Sequence, residues 1–521
     1  MKARLDTLIG RVTMYNLMVI VLAVIAVAAG VASATGQLFY TPLQLLLSLA
    51  VAVLATAVSS WIFALAFRTR AHLPSAIITG LLIFFVFIPT GDPGGLLLLA
   101  LTGIVASASK FLLAIRGRHV LNPVAAAAVI MSVTALNPSG WWVATPVLLP
   151  FVAIGAFLVL YRTRKLTLGL TFIVLSIAIV TVRMLLLGTS LPDSLWLAVG
   201  SFPIVFLAGF MLSEPLTLPP RRWQQLGVAA LVAVLFSIPF QIGPVYSSPE
   251  IALVIGNIVA FAFGQRRGIL LRFEGRRDLT PTAASFDFRP AHPVRFRPGQ
   301  YIELALPHRG ADARGSRRVF SIASPPPSPA AGAAPAGAAP ASGPSDTDLV
   351  SVGIKLAQPS SSFKTALATL EPGSRVRATW VGGDFLLPDD ASVPLVLVAG
   401  GIGVTPFIAQ LAGRAQGGTR PADVVLVYSV SSADELAYLD ELVATGIRVL
   451  VSAPTAPAAL PVGWEYLGAG RLSADALTAA IRDLGTRRAY VSGPPGFVDH
   501  LSTELRRAGA HRIHTDAFAG Y

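Results

Sequence analysis

The stretch Leu395-Val396-Leu397-Val398-Ala399-Gly400-Gly401-Ile402-Gly403-Val404-Thr405-Pro406 decides how the C-terminal half of this chain folds. Leu395–Val398 is a continuous apolar run, the mark of a strand buried on both faces. A glycine-rich turn follows it and opens a helix. In that order, the glycines let the backbone approach a pyrophosphate, and the helix offers its free N–H groups and positive end. Val424–Val427, Arg448–Val451 and Ala489–Val491 follow with helical segments between them. This βα alternation predicts a parallel sheet over residues 391–521. The last of these strands runs into Ser492-Gly493-Pro494-Pro495-Gly496-Phe497, and the chain ends Phe518-Ala519-Gly520-Tyr521.

Upstream, residues 268–390 carry short alternating strands: Val294–Phe296, Tyr301–Leu306 and Val350–Leu356. They include Arg297-Pro298-Gly299-Gln300-Tyr301 and then Arg318-Val319-Phe320-Ser321-Ile322-Ala323-Ser324. An Arg can fork onto a phosphate, an aromatic can lie against a flavin ring, and a Ser can hydrogen-bond the ring's edge. Residues 324–347 are rich in Pro, Ala and Gly without an apolar pattern, and are expected to be a disordered insert.

Residues 1–267 are of another kind. Of the 521 residues, 54% are hydrophobic and only 13% charged, and ten apolar stretches crowd between Tyr15 and Phe263, each close to the ~20 residues that cross a bilayer. The third and fifth, near 73–89 and 121–136, are short and contain Gly or Pro, as broken or re-entrant helices do. Basic residues fall in every second loop (Arg68 and Arg70; Lys110, Arg116 and Arg118; Arg162, Arg164 and Lys165; Arg221 and Arg222). The other loops hold only Asp92, Asp193 and Glu250. That alternation places both ends of the helical domain on the cytoplasmic side of a bacterial membrane. The first stretch is long, lacks a cleavage site and precedes nine more, so it reads as a retained helix.

Charge and cysteine content narrow the function. Residues 1–267 hold 16 Lys and Arg against 5 Asp and Glu, whereas the rest holds 24 against 22. The basicity belongs to membrane loops, which argues against nucleic-acid binding. The chain has no cysteine, so it offers no thiolates for an iron–sulfur cluster. Only His72 and His119 lie in the helical half, both beside basic loops, too few for bis-histidine haem pairs. The expectation is a chain without haem, without an iron–sulfur cluster and without a metal site.

The motifs RxFSxxS, GGIGVTP, SGPPG and a terminal FAGY, in that order, resemble those of the ferredoxin–NADP reductase superfamily over residues 268–521. The resemblance implies an FAD-binding β-barrel over 268–390 and an NAD(P)-binding α/β domain over 391–521. It implies that Arg318, Val319, Phe320 and Ser321 hold flavin phosphate and ring, with Ser361, Ser362 and Phe363 at the pyrophosphate. Gly400, Gly401, Gly403, Thr405 and Pro406 match the dinucleotide loop. Gly493 and Pro494 match the place where nicotinamide meets flavin, and Tyr521 the aromatic covering the flavin face. Ser321, Ser492 and Tyr521 are thereby the residues at the reacting rings. Many relatives have Cys where Ser492 stands. After Val427 the sequence reads Tyr428-Ser429-Val430-Ser431-Ser432, without the basic cluster expected around a 2′-phosphate, which leans toward NADH over NADPH.

Residues 12–265 resemble a family of membrane flavoproteins found in the sodium-pumping NADH:quinone oxidoreductase (Nqr) and in the Rnf complex. The resemblance rests on Ser75–Leu82, on Gly117–Ala125 and on Phe210–Thr217. It implies ten transmembrane helices and a second flavin, FMN or another. That family attaches FMN to a Thr in an Asp…Ser-Gly-Ala-Thr setting. The nearest string here, Trp141–Pro146, lacks the Asp and the Ser-Gly, which leaves Thr145 as a candidate beside noncovalent binding. Asn122 is a second candidate, or a helix cap. Arg183, inside the seventh apolar stretch, either faces a partner or cavity, or snorkels, or pairs with Asp193. The expected protein is a flavin oxidoreductase of the lipid bilayer passing electrons from NAD(P)H through FAD to a quinone or a redox protein. Its rivals are a redox-driven Na⁺ or H⁺ pump and an anchored reductase of a diffusible partner.

Overall fold

In the computed structural model, residues 14–67, 72–115, 118–243, 245–263, 268–308, 312, 316–326, 349–356, 360–416 and 423–518 are described. The chain divides into two compact units, Met1–Arg267 and Gly268–Tyr521.

The first unit is helical: α1 (Met14–Ala34), α2 (Pro42–Ala66), α3 (Leu73–Val86), α4 (Pro93–Leu112), α5 (Pro123–Val133), α6 (Leu149–Arg162), α7 (Leu166–Leu186), α8 (Leu191–Gly200), α9 (Ile204–Leu212), α10 (Arg222–Ser237) and α11 (Pro249–Phe263). Proline in the first turn and a polar cap start several of them. Thr41 and Gln44 cap α2 reciprocally, Asp92 accepts from Gly95 N at 2.9 Å, and Asn122 accepts from Val124 N and Ala125 N. Between α2 and α4 the hydroxyls of Ser59, Ser60 and Ser107 join at 2.8–3.0 Å, small polar residues that let two apolar helices pack closely.

Ten spans are met only in part. Among the described residues, α1, α2, α4 and α7 are long and apolar enough to cross a bilayer, and α8 with α9, bent by 41°, makes a fifth at most. The other apolar stretches break early. The third ends where Phe87 leaves the helix to bridge Ser139, and α9 closes on a π turn, Ala208–Leu212.

In the second unit, six strands, β1 (Ile269–Thr280), β2 (Ala283–Pro290), β3 (Tyr301–Ala305), β4 (Arg317–Ser321), β5 (Val350–Lys355) and β6 (Arg375–Gly382), form an antiparallel sheet in the order β4-β3-β6-β1-β2-β5. An Ile322–Val352 bridge joins its two edges into a barrel. Val294–Phe296, expected as a strand, is irregular. Pro293 and Pro298 bracket it, and proline donates nothing to a ladder; its Val294 and Phe296 still fill the barrel core. The disordered insert expected over 324–347 lies, from residue 327 on, outside the described residues.

The remaining strands, β7 (Leu395–Gly400), β8 (Val424–Ser429), β9 (Arg448–Ser452), β10 (Trp464–Gly468), β11 (Arg488–Gly493) and β12 (Ile513–Ala517), form a parallel sheet in the order β10-β9-β8-β7-β11-β12. β7 is buried at every position. Leu395, Leu397 and Ala399 face one core with Phe407 and Leu411 of α13 (Thr405–Gln416), while Val396 and Val398 face another with Leu501 and Leu505 of α16 (Pro495–Arg507).

Glu435 ties sheet to barrel: its carboxylate accepts from Lys355 Nζ (2.6 Å), Thr282 Oγ1 (2.6 Å) and Ser431 Oγ (2.9 Å). Burial alone would raise its pKa, but these bonds and the Lys355 charge outweigh it and hold the carboxyl below its ordinary value. A depressed carboxylate stabilises fully above its unfolded pKa, about 4.3, and that contribution is lost as pH falls through the folded value. Glu435→Gln is therefore expected to lower the melting temperature at pH 7 and to shrink the drop between pH 5 and pH 3, as thermal melts of both proteins would show.

Candidate functional site

The sheet fixes one end of the site. From β7 the chain winds outward through β8, β9 and β10, then returns to β11 on the opposite side. The carboxyl ends of β7 and β11 therefore flank a topological switch point, where open α/β sheets bind ligands. Gly400, Gly401 and Gly403 lie there beside Ser492, Gly493 and Pro494. The two turns touch: a Cβ on Gly403 would lie 2.5 Å from the Ser492 carbonyl oxygen and 2.8 Å from Gly493 Cα. Thr405 opens α13, its Oγ1 donating to the Ile402 carbonyl at 3.0 Å, and Pro406 follows in the first turn. The backbone N–H of Phe518 donates to the Gly493 carbonyl at 2.8 Å, pinning the chain's end to this turn. Tyr521 itself lies outside the described residues.

A dinucleotide fits this end. Ser492 is fully buried, and its hydroxyl has no hydrogen-bond partner among the described residues, an orphan beside a backbone cradle. The Phe497 ring packs against both Gly400 and Gly493. Its role was not singled out from the motif, because nothing in the spacing says which way that ring turns.

The barrel fixes the other end. Arg318, on β4, is 3% exposed, donates from Nη2 to Asp312 Oδ1 at 3.2 Å and stacks over Phe363 at 5.3 Å. Asp312 is tied in turn to Ser362: its N–H donates to Ser362 Oγ (2.9 Å) and its Oδ2 accepts from Ser362 N (3.3 Å). Ser361 caps the short helix α12 (Ser362–Ala368), accepting from Lys364 N. Phe320 lies 5.9 Å from Phe363, ring to ring. Arg318, Phe320, Ser361, Ser362 and Phe363, scattered over 46 positions of sequence, thus come together. Val319 points the other way and is 39% exposed. Ser321 is buried at the end of β4, opposite Tyr301.

Beside α12 opens a cavity of about 670 Å³, lined by Arg276, Thr280, Thr282, Ser360, Lys364 and Thr365 among others. None of the flavin-motif residues lines that hollow, so the fit to a flavin dinucleotide rests on the buried guanidinium and the hydroxyls gathered around it. Asp312 and His308, whose Nε2 lies 3.0 Å from Ser362 Oγ, complete the cluster. Neither stands in a motif: Asp312 bonds Arg318 directly, and His308 joins through Ser362.

The helical-half candidates do not converge. Asn122 Nδ2 donates to Glu214 Oε2 (2.8 Å) and its N–H to Asn257 Oδ1 (2.8 Å). Arg183 Nη1 donates to the Ser237 carbonyl at the end of α10 (2.6 Å) and lies over Phe202, rather than pairing with Asp193, which Ser190 holds instead. Thr145 Oγ1 is buried without a partner among the described residues. Glu250, read as a loop charge, is 2% exposed and accepts from Trp141 Nε1 (3.0 Å) and Ser139 Oγ (2.8 Å), because the segment after α5 folds back across it.

Known proteins resemble parts of this chain. Residues 397–503 match the family model described as the oxidoreductase NAD-binding domain. An NADPH oxidoreductase of Mycobacterium tuberculosis is 29% identical over 257 residues, 48% of this chain and 59% of that protein. The ferredoxin reductase component of a 3-ketosteroid-9-alpha-monooxygenase of Mycolicibacterium smegmatis is 25% identical over 228 residues, 43% of this chain and 56% of that protein. The chain thus spans just over half the length of these two relatives. Among solved structures, an Amycolatopsis cytochrome P450 reductase aligns with a TM-score of 0.37 at 22% identity, over 48% of this chain and 70% of that one.

The NAD-binding match and these relatives support an oxidoreductase; residues 268–521 are similar to the named reductases, a likeness that supports FAD and NAD(P)H as cofactors. The expectation that haem plays no part is overturned. Relatives include a Deinococcus radiodurans flavohemoprotein, 30% identical over 144 residues, and the beta subunit of a heme-dependent oxidative N-demethylase of Ectopseudomonas mendocina, 28% identical over 255. A count of Cys and His in one chain therefore does not exclude haem.

Proposed function

We propose that this chain is a flavin oxidoreductase of the cytoplasmic membrane. NAD(P)H reduces FAD in residues 268–521, and electrons then enter the helical half on their way to a quinone or an extracytoplasmic acceptor. The observation that carries the reading is the convergence of the two sets of motif residues: the flavin set at one end of the barrel, the dinucleotide set at the sheet's switch point. FAD held there supplies a ring that accepts hydride from nicotinamide and releases electrons singly, chemistry that no side chain of this protein offers.

The chain's own residues bind and position. Arg318 neutralises the pyrophosphate, with Ser361 and Ser362 beside it. Ser321 and the free hydroxyl of Ser492 hydrogen-bond at the ring edges. Gly403 and Gly493 leave the backbone open enough that a nicotinamide would stack there, and Tyr521 is proposed as the aromatic that would cover a bound flavin. NADH is favoured over NADPH, because residues 428–432 carry no cation and Glu435 sits just beyond them. In the helical half, α1, α2, α4 and α7 span the bilayer, the bent and shorter helices complete ten crossings or half-crossings, and Asn122 with Glu214 is the polar pair proposed to line an electron-carrier site. Thr145 and Arg183 are further candidates there: among the described residues Thr145 Oγ1 has no hydrogen-bond partner, and Arg183 holds the Ser237 carbonyl at the end of α10.

A second reading follows from the mycobacterial relative, a reductase component by name: the acceptor is a separate redox protein. Proteoliposomes decide between them. With the full chain reduced by NADH without oxygen, quinone in the bilayer is expected to reoxidise the flavin. Reoxidation only on adding a soluble redox protein supports the second reading and contradicts the first.

A further inference from the structure

The barrel strand β5 carries a notch outside every motif. Val350, Val352 and Ile354 point into the barrel core, so the residue between the last two faces outward, and that residue is Gly353. A Cβ there would lie 2.6 Å from Thr405 Cγ2 and 2.5 Å from Tyr438 Oη. Both side chains belong to the nucleotide-binding domain, and both are seated on the glycine. Thr405 follows the dinucleotide turn directly. One residue back along β5, Val352 bridges Ile322, the neighbour of Ser321 on the flavin strand. Flavin strand and dinucleotide turn are therefore docked on adjacent residues of one strand, ~3.3 Å apart along it.

Tyr438 is built to hold this contact. It is 3% exposed, sits at φ 60° and carries the Arg277 guanidinium 6.0 Å over its ring, while Arg277 pairs with Glu441. A non-glycine residue in the left-handed region persists only where its surroundings over-determine it. Glu435, three residues earlier, is clamped by Thr282 and Lys355 of the barrel.

We propose that Gly353, with Thr405 and Tyr438 seated on it, is the positioning device that sets the distance between nicotinamide and flavin, a role resting on the function proposed above. A methyl group at Gly353 must push both side chains back by about 1 Å to reach ordinary contact. A displacement of that size costs up to ~100-fold when two reacting centres must meet.

The test uses the full chain loaded with FAD, comparing wild type, Gly353→Ala and Tyr438→Ala. Three quantities are read: the rate of flavin bleaching by NADH, the long-wavelength charge-transfer absorbance with NAD⁺ on reduced flavin, and calorimetric affinity for the unreactive analogue tetrahydro-NADH. Both variants are expected to bleach ~10–100-fold more slowly and to lose most of the charge-transfer band, with FAD content and analogue affinity within about twofold of wild type. Gly353→Ala combined with Tyr438→Phe, which removes the hydroxyl from the notch, is expected to regain part of the band. Wild-type rates and bands in both single variants overturn the proposal, as does a slow rate explained wholly by lost analogue affinity. If Gly353→Ala fails to fold, Tyr438→Ala decides alone. A wild-type protein that holds FAD yet is bleached by neither NADH nor NADPH sinks the underlying function, and the positioning role with it.

Discussion

Arg318→Ala is expected to strip FAD from the protein while leaving the helical half inserted. The guanidinium is buried, bonded through Nη2 to Asp312 and stacked on Phe363, and is the cation proposed for the flavin end. Truncating a buried charge partner costs about 2–5 kcal/mol, which at 1.4 kcal/mol per decade weakens FAD binding ~30-fold or more. Arg318→Lys keeps the charge but loses the fork and the stacking, and falls between. The check is the FAD-to-protein ratio after gel filtration, with circular dichroism showing that the helices are intact. An Arg318→Ala protein that emerges with stoichiometric FAD contradicts the assignment.

Gly403→Ala is expected to do the opposite: FAD stays, and reduction by dinucleotide collapses. The added Cβ meets backbone on the far side, the Ser492 carbonyl and Gly493 Cα, and backbone cannot rotate away as a side chain can. One turn must retreat from the other by about 1 Å. The crevice at the switch point widens where the nicotinamide stacks, and kcat/KM for NADH is expected to fall ~100-fold. Steady-state kinetics on the FAD-replete variant measure it. Unchanged kcat/KM would mean that the dinucleotide binds elsewhere. Together the two substitutions separate the halves of the site, one emptying the flavin end and the other silencing the nicotinamide end.

The chemistry-bearing turns were legible because their constraints are local. A strand buried on both faces must be apolar throughout, and β7 is. A phosphate cradle needs glycine, and the order of strand, turn and helix reads directly. Arg318 was singled out by the motif resemblance alone, since a cation on an alternating strand is by itself an ordinary surface residue; its burial is visible only in the structure. What the sequence hides is whatever tertiary return brings in. Asp312, six residues before Arg318, bonds it directly but stands in no motif, and His308 joins the cluster only through Ser362. Gly353 gains meaning only because Thr405 and Tyr438, 52 and 85 residues later, land on it. Prolines on either side undid the strand expected at Val294–Phe296.

In the helical half the apolar stretches were plain, but their lengths were not. The third and fifth stretches, expected to be short, are the short helices α3 and α5, but hydropathy does not register the π turn in α9, and other stretches expected near full length also fall short of a span. The same blindness misplaced Glu250, whose acidic side chain turns inward onto Ser139 and Trp141.

Anaerobic titration of the purified, FAD-loaded full chain with NADH, followed by flavin absorbance, tests the central claim most directly. The account predicts that one equivalent of NADH per FAD bleaches the flavin within the dead time of manual mixing. Flavin that remains yellow under excess NADH and excess NADPH alike, with FAD still bound, would contradict it.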